Sequence, residues 1–106
     1  MPDDIQLPTA LSGVITNLDG VRFCMDGATH LIHTLTGATR LKGRNDEVAS
    51  ILAKYADGKT KLTVMGYLTW GAECRYLSVY HVALAKDVNQ VLAGDDIFPW
   101  PWIAND

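Results

Sequence analysis

Short runs in which apolar and polar residues alternate dominate the first part of the chain, and this pattern is typical of half-buried β-strands. Residues 11–18 and 21–25 alternate in this way, and the Asp-Gly dipeptide at 19–20 between them favours a tight hairpin turn. A third run, residues 29–35, is rich in β-branched and aliphatic side chains. The pattern therefore predicts a three-stranded meander.

The spacing of apolar residues changes to a helical period after residue 45. The apolar stripe consists of Val48, Ile51, Leu52 and Tyr55, at positions i, i+3, i+4 and i+7. Asn45 or Asp46 is suited to cap the start of this helix, and Gly58 supplies the left-handed conformation that ends many helices. A single stripe predicts a helix that caps a barrel or lies on a sheet.

Two longer alternating runs follow the helix, at residues 62–70 and 75–84, with a predicted turn between them. Gly13 and Gly66 lie inside predicted strands, where glycine usually marks a bulge or a tight bend. Residues 87–93 are predicted to form a short helical turn. The result is a β-rich domain with one helix between its third and fourth strands.

This order of elements resembles the OB fold, a small five-stranded barrel of antiparallel strands. The resemblance covers roughly residues 11–85 and includes the glycine of the first strand, Gly13, and the turn that follows it. It also includes the stretch at residues 59–66, which leads from the helix into the fourth strand and ends in Gly66. The alternative topology is an α+β roll, in which the helix packs on an open antiparallel sheet.

The resemblance implies a ligand-binding surface on the second and third strands, flanked by the loops between strands 1 and 2 and strands 4 and 5. Transferred to this sequence, the candidate ligand-binding residues are Arg22, Phe23, His33, Trp70, Arg75 and Tyr76. Aromatic and basic side chains of this kind can stack on the bases of single-stranded nucleic acid. The alternative is that Trp70 and Tyr76 form a cross-strand pair that closes their hairpin.

The charge of the chain argues against nucleic acid as the main ligand. Nine Lys and Arg residues stand against twelve Asp and Glu residues, which gives a formal net charge of -3, and an acidic chain provides no general attraction for phosphates. Arg40, Lys42 and Arg44 form a small basic cluster before the helix. It is predicted to lie in a solvated loop, and the alternative is that it contacts a phosphate or an acidic partner.

No pattern of metal ligands or catalytic residues stands out. His30 and His33 are three residues apart on a predicted strand, so their side chains leave opposite faces and do not readily chelate one ion. Cys24 and Cys74 are predicted to be free, buried thiols, and neither belongs to a C-x-x-C pair. The sequence predicts no metal, no cofactor and no enzymatic activity.

The most unusual feature is the aromatic segment near the end of the sequence, which contains Phe98, Trp100 and Trp102 next to two aspartates and two prolines. It is similar to the acidic and aromatic tip through which bacterial single-stranded DNA-binding proteins recruit partners, although here residues 103–106 follow the last aromatic residue. An exposed patch of this size is uncommon on a monomer. The segment is therefore expected to cover its own barrel, a second copy in a homodimer, or another protein.

Three regions follow from these patterns: an N-terminal leader (residues 1–10), an OB-like barrel (11–93) and the C-terminal tail (94–106). The sequence contains neither the pattern of a signal peptide nor an apolar run long enough to span a bilayer, which favours a cytoplasmic protein. The favoured function is a non-enzymatic module that makes protein–protein contacts or self-associates, with the tail as its interface. The alternative is a protein that binds single-stranded nucleic acid.

Overall fold

A computed structural model describes residues 8–18, 27–70 and 75–94. These residues form six strands and one helix. In chain order the elements are β1 (Pro8–Asn17), β2 (His30–Thr34), β3 (Gly37–Gly43), α1 (Asp46–Lys54), β4 (Lys61–Trp70), β5 (Arg75–Leu84) and β6 (Asp87–Gly94).

Five of the strands close into a ring. The sheet has the order β3-β2-β1-β4-β5-β6, and β3 also pairs with β5, in parallel, through the register Leu41 to Leu77 and Gly43 to Val79. All other pairings are antiparallel. The prediction of a small five-stranded barrel with one helix between strands 3 and 4 is confirmed, whereas the open sheet of an α+β roll would lack the β3–β5 pairing.

β5 has a different neighbour along each half of its outer edge. β3 pairs with Leu77–Val79, and β6 pairs with His81–Leu84 beyond the point where β3 ends. The prediction of a helical turn at residues 87–93 is wrong, because these residues form β6. The free backbone groups along the second half of β5 offer hydrogen bonds to this segment, and such tertiary pairing overrides a weak local preference.

The interior of the ring is filled by aliphatic side chains from all six strands and from α1. Val48 and Leu52 of the helix are fully buried, as the single apolar stripe predicts. The buried core consists of Ile15, Ile32, Leu41, Val48, Leu52, Leu62, Val64, Leu77, Val79, Val82 and Ala93.

The predicted cap of α1 is confirmed, and its predicted stop is displaced. The side chain of Asn45 accepts a hydrogen bond from the backbone N–H of Val48, at 3.0 Å. The helix ends at Lys54 with Tyr55 as its C-cap, so Gly58 lies beyond the helix. Gly58 does adopt a left-handed φ of 70°, and its N–H donates to the carbonyl of Ile15 at 2.9 Å, which ties the connection to β1.

The strands of the first half are shifted along the sequence from their predicted positions. The predicted second strand, residues 21–25, lies outside the described residues. Residues 29–35 contain β2 rather than the third strand, and residues 37–43, expected to be a loop, form β3. The first strand also begins at Pro8 rather than at residue 11.

Both strand glycines lie where a side chain does not fit. A Cβ atom at Gly13 would collide with the backbone carbonyl of His33, and one at Gly66 would collide with the carbonyl of Ser78. At Gly66 the pairing of β4 with β5 shifts register, which leaves Tyr80 as the extra residue between Val79 and His81. The predicted bulge is confirmed at Gly66.

Candidate functional site

A row of polar, basic and aromatic side chains lies on the outside of β3 and of the first half of β5. Leu41, Leu77 and Val79 point into the core, so the residues that alternate with them face outward. We call this surface the basic–aromatic face. It consists of Arg40, Lys42, Tyr76 and Ser78.

Lys42 is held at the centre of this face. Its Nζ lies 5.7 Å from the centre of the Tyr76 ring, which is the geometry of a cation–π contact. The same side chain crosses over Gly27, where a Cβ atom would lie 3.1 Å from Lys42 Nζ. The ammonium group is therefore preorganised. An anion that binds it would pay less conformational entropy than one that binds a freely rotating lysine side chain.

The ring of strands carries one sign of charge only. Strands β1 to β5 contain four basic residues, Arg40, Lys42, Lys61 and Arg75, and no Asp or Glu. The described residues as a whole include eight of the nine Lys and Arg and only four of the twelve Asp and Glu, a formal charge of +4. The net charge of the whole chain therefore hides a basic barrel.

His33 extends the basic–aromatic face onto β2. Its register partner on β3 is Ala38, and the neighbouring outward position, Leu31, pairs with Arg40. The His33 side chain is exposed, and its Nε2 lies 2.8 Å from the hydroxyl of Thr16 on β1. Of the predicted ligand-binding residues, His33 and Tyr76 thus lie on the same outer surface.

The register of the β4–β5 hairpin separates the other predicted residues. Arg75 pairs with Trp70, and Tyr76 pairs with Thr69. Adjacent residues on a strand point to opposite faces, so Arg75 and Tyr76 do not form one platform. The predicted Trp70–Tyr76 cross-strand pair is wrong for the same reason, because the cross-strand partner of Tyr76 is Thr69.

The remaining predicted site residues lie outside the part of the chain that the structure describes. Arg22, Phe23 and Cys24 belong to the segment between β1 and β2, and Cys74 belongs to the segment between β4 and β5; all four lie outside the described residues. Phe98, Trp100 and Trp102 follow β6 and are also outside this range. Their assigned roles stay predictions.

The sequence prediction placed the central members of the face in the wrong kind of element. Arg40 and Lys42 were assigned to a solvated loop, but they lie on β3. The signal was present in the run Thr39-Arg40-Leu41-Lys42, in which Leu41 is fully buried and its neighbours face outward. Two glycines at the ends of this run made it look like a loop.

A groove lies away from the basic–aromatic face. It has a volume of about 600 Å³ and is located where β1, the start of β4 and the β5–β6 turn meet. Its lining residues are Ser12, Thr60, Lys61, Leu84, Ala85 and Lys86. Ser12 and Thr63 join their hydroxyls at 2.8 Å beside it. Two lysines line the groove, but its lining residues do not form a cluster of polar side chains that point at one ligand position.

Among the described residues, no group of three His, Cys, Asp or Glu side chains could hold a metal ion. The two histidines of β2 do leave opposite faces, as predicted: His33 is exposed, and His30 is buried with its Nδ1 2.8 Å from the hydroxyl of Thr29. Burial lowers the pKa of His30. Within the same part of the chain, no helix has the length and apolar character needed to cross a membrane.

Comparison with known proteins adds no assignment: no family model matches the chain, and no curated protein or solved structure is significantly similar to it. The surface described above is therefore the basis for any functional inference.

Proposed function

We propose that this protein is a non-enzymatic OB-like module that binds single-stranded nucleic acid across its basic–aromatic face. The observation that carries the proposal is the segregation of charge. Five strands without a single Asp or Glu present Arg40 and Lys42 on β3, with Lys42 held over the ring of Tyr76. This arrangement favours a ligand with several negative charges.

The position of the face supports the same proposal. In OB folds, oligonucleotides bind on the surface of strands 2 and 3, between the loops that join strands 1 to 2 and strands 4 to 5. Here that surface bears His33 and Arg40 next to Lys42. The argument from fold to ligand is one of analogy, so the charges and the Lys42–Tyr76 contact carry the greater weight.

The proposal is tested by titrating a fluorescently labelled oligothymidine with the protein at several salt concentrations. We expect binding that weakens as salt rises, because phosphate contacts release counterions. Lys42→Gln should lower the affinity about three- to tenfold and reduce the slope of log K against log salt by about 0.7, the value for one phosphate contact on a single strand. Tyr76→Leu should have a smaller effect of the same sign, and Tyr76→Phe should retain the affinity.

Lys54 provides a matched control. Its Nζ lies 5.6 Å from the centre of the Tyr55 ring, so the chain contains a second Lys–Tyr contact of nearly equal geometry, but on the helix. Lys54→Gln should leave the affinity and its salt dependence unchanged. Equal losses from Lys42→Gln and Lys54→Gln would indicate a diffuse effect of net charge, and no binding by the unaltered protein at low salt would end the proposal.

A second candidate function is protein–protein contact, including self-association. Leu35, at the tip of the turn between β2 and β3, is fully exposed, with a relative exposure of 104%. A large aliphatic side chain on such a tip suits insertion into a partner's pocket, although single exposed apolar residues are common. Analytical ultracentrifugation of the protein and of Leu35→Ser over a range of concentrations tests self-association. If Leu35 forms the interface, the unaltered protein should have a molecular mass above that of a monomer, and Leu35→Ser should lower that mass.

A further inference from the structure

Three basic residues occupy every second position along β3 and its continuation. Arg40 and Lys42 belong to β3, and Arg44 follows Gly43, the last residue of that strand. The backbone N–H of Arg44 donates to the carbonyl of Val79 at 2.8 Å, so the pairing of β3 with β5 continues one residue beyond the end of β3. We call the three basic residues the cation row.

The side chains of the cation row lie on the same side of the sheet. Leu41 points into the core, and position 43 faces α1, because a Cβ atom at Gly43 would lie 2.6 Å from the backbone nitrogen of Ala49. Alternation along a strand then directs the residues at 40, 42 and 44 to the opposite, outer side. The first two are half-buried and the third is exposed, so all three are accessible from solvent.

The repeat of the cation row matches the repeat of a nucleic-acid backbone. Two residues of a β-strand span about 6.6 Å, and six covalent bonds join one Cα atom to the next but one. Successive phosphorus atoms of a nucleic-acid strand are likewise joined by six covalent bonds. An extended single strand can therefore place consecutive phosphates on consecutive members of the row. Each guanidinium has five N–H donors, so Arg40 and Arg44 can bind a phosphate in addition to their contacts within the protein.

The cations follow β3 and do not continue across the sheet. Arg40 pairs with Leu31 of β2, and Lys42 pairs with Ser78 of β5. β2 and β1, the next two strands of the sheet on one side of β3, contain no Lys or Arg. A strand of nucleic acid that crosses the sheet at β3 therefore meets one member of the cation row, whereas a strand that follows β3 meets all three.

The cation row has a defined end on each side. The outward position before Arg40 is Ala38, which has no charge. Beyond Arg44, α1 begins with Asp46 and Glu47, which are both exposed. Their carboxylates repel a phosphate chain that continues in this direction. The row therefore has room for three phosphates.

We propose that single-stranded nucleic acid binds along β3, with three consecutive phosphates on Arg40, Lys42 and Arg44. This inference rests on the proposed nucleic-acid binding and specifies the path of the ligand, the length of the site and a further binding residue, Arg44. The ring of Tyr76, which lies beside Lys42, is then next to the middle phosphate, where it can stack on a base of the same strand.

The test compares oligothymidines of three and four nucleotides without terminal phosphates, which carry two and three phosphodiesters. Their affinities are measured at low salt, by displacement of a labelled longer oligothymidine. The unaltered protein should bind the tetranucleotide about three- to tenfold more tightly than the trinucleotide, because only the tetranucleotide makes the third phosphate contact. Further nucleotides should add little to the affinity.

Loss of a cation at either end of the row should differ from loss of the middle one. In Arg40→Gln and Arg44→Gln two adjacent cations remain, so the two oligonucleotides should bind equally, apart from a statistical factor of about two. In Lys42→Gln the remaining cations are two repeats apart, and only the tetranucleotide reaches both, so its advantage should persist. Arg44→Lys, which keeps the charge, and Lys61→Gln, which removes a cation from β4, should both behave like the unaltered protein.

The outcomes separate this inference from the function on which it rests. Suppose that a long oligothymidine binds and that Lys42→Gln weakens it, but that the tetranucleotide keeps its full advantage in Arg40→Gln and Arg44→Gln. The path along β3 is then overturned, and binding on the basic–aromatic face stands. Equal binding of both oligonucleotides by the unaltered protein also overturns the three-phosphate site. Absence of binding even to the long oligothymidine contradicts both proposals.

Discussion

The two halves of β5 show how one strand can have two different outer surfaces. In the first half, Tyr76 and Ser78 lie beside β3 and are partly open to solvent, with Lys42 over the tyrosine ring. In the second half, Tyr80, His81 and Ala83 lie beside β6 and are almost completely buried. Both halves contain a tyrosine in an outward position, so the residue type does not decide the exposure.

The difference arises from the neighbouring strand and from the bulge. β3 brings basic residues to the outer surface of the first half, whereas the second half lies beside β6, which contains no Lys or Arg. The bulge at Gly66 lies between the halves and changes the pairing of β4 with β5 at that point. The proposed ligand surface therefore includes the first half of β5 and excludes the second half.

The largest expected effect is at the bulge itself. Gly66→Ala places a Cβ atom against the backbone carbonyl of Ser78, which cannot move without disturbing both halves of β5. We expect a loss of about 2–4 kcal/mol in the free energy of unfolding, measured by urea denaturation. Ser78→Ala, on the facing strand, is the control and should change stability by less than about 0.5 kcal/mol. A tolerated alanine at 66 would show that the halves do not depend on this bulge.

The second prediction compares the same substitution in each half. Ala83→Lys introduces an ammonium group at a position of β5 that is 0% exposed, and it should destabilise the fold by about 3–5 kcal/mol, because a buried charge without a partner is costly. Ser78→Lys adds the same group to the open half, where the cost should be below about 0.5 kcal/mol. Thermal unfolding of both variants measures the difference, and equal costs would show that the halves are equally open or equally covered.

The smallest expected effect concerns pH and His30, which lies on β2 next to core residue Leu41. Burial lowers the pKa of folded His30 below its ordinary value of 6.5, so the unfolded chain binds this proton more readily. The stability should therefore fall as the pH is lowered through 6.5, and level off below the folded pKa. His30→Gln should remove this part of the pH dependence and His33→Gln should retain it, as urea titrations at pH 5 to 8 can show.

The architecture was accessible from sequence because its elements have strong local patterns. The helix has both a capping residue, Asn45, and a regular apolar stripe, and the long alternation of β4 and β5 is unbroken except at Gly66. β6 was not accessible in the same way. Its strand conformation depends on the free edge of β5 beyond Val79, which no local pattern encodes.

The candidate site was only partly accessible from sequence. His33 and Tyr76 were found because they lie on strands with clear alternation, but Arg40 and Lys42 were assigned to a loop, since β3 is short and bounded by glycines. The overall charge was also misleading. The net charge of -3 combines the described residues, which have a formal charge of +4, and the other segments, which contain most of the acidic residues. Only the fold shows which of these residues share a surface.

The most direct test of the account is an amide chemical-shift map of the protein titrated with oligothymidine at low salt. We predict shifts in β3 and at residues 75–79 of β5, and little change at residues 80–84 and in β6. Shifts of equal size along the whole of β5, or shifts confined to the half beside β6, would contradict the assignment of the basic–aromatic face as the ligand surface.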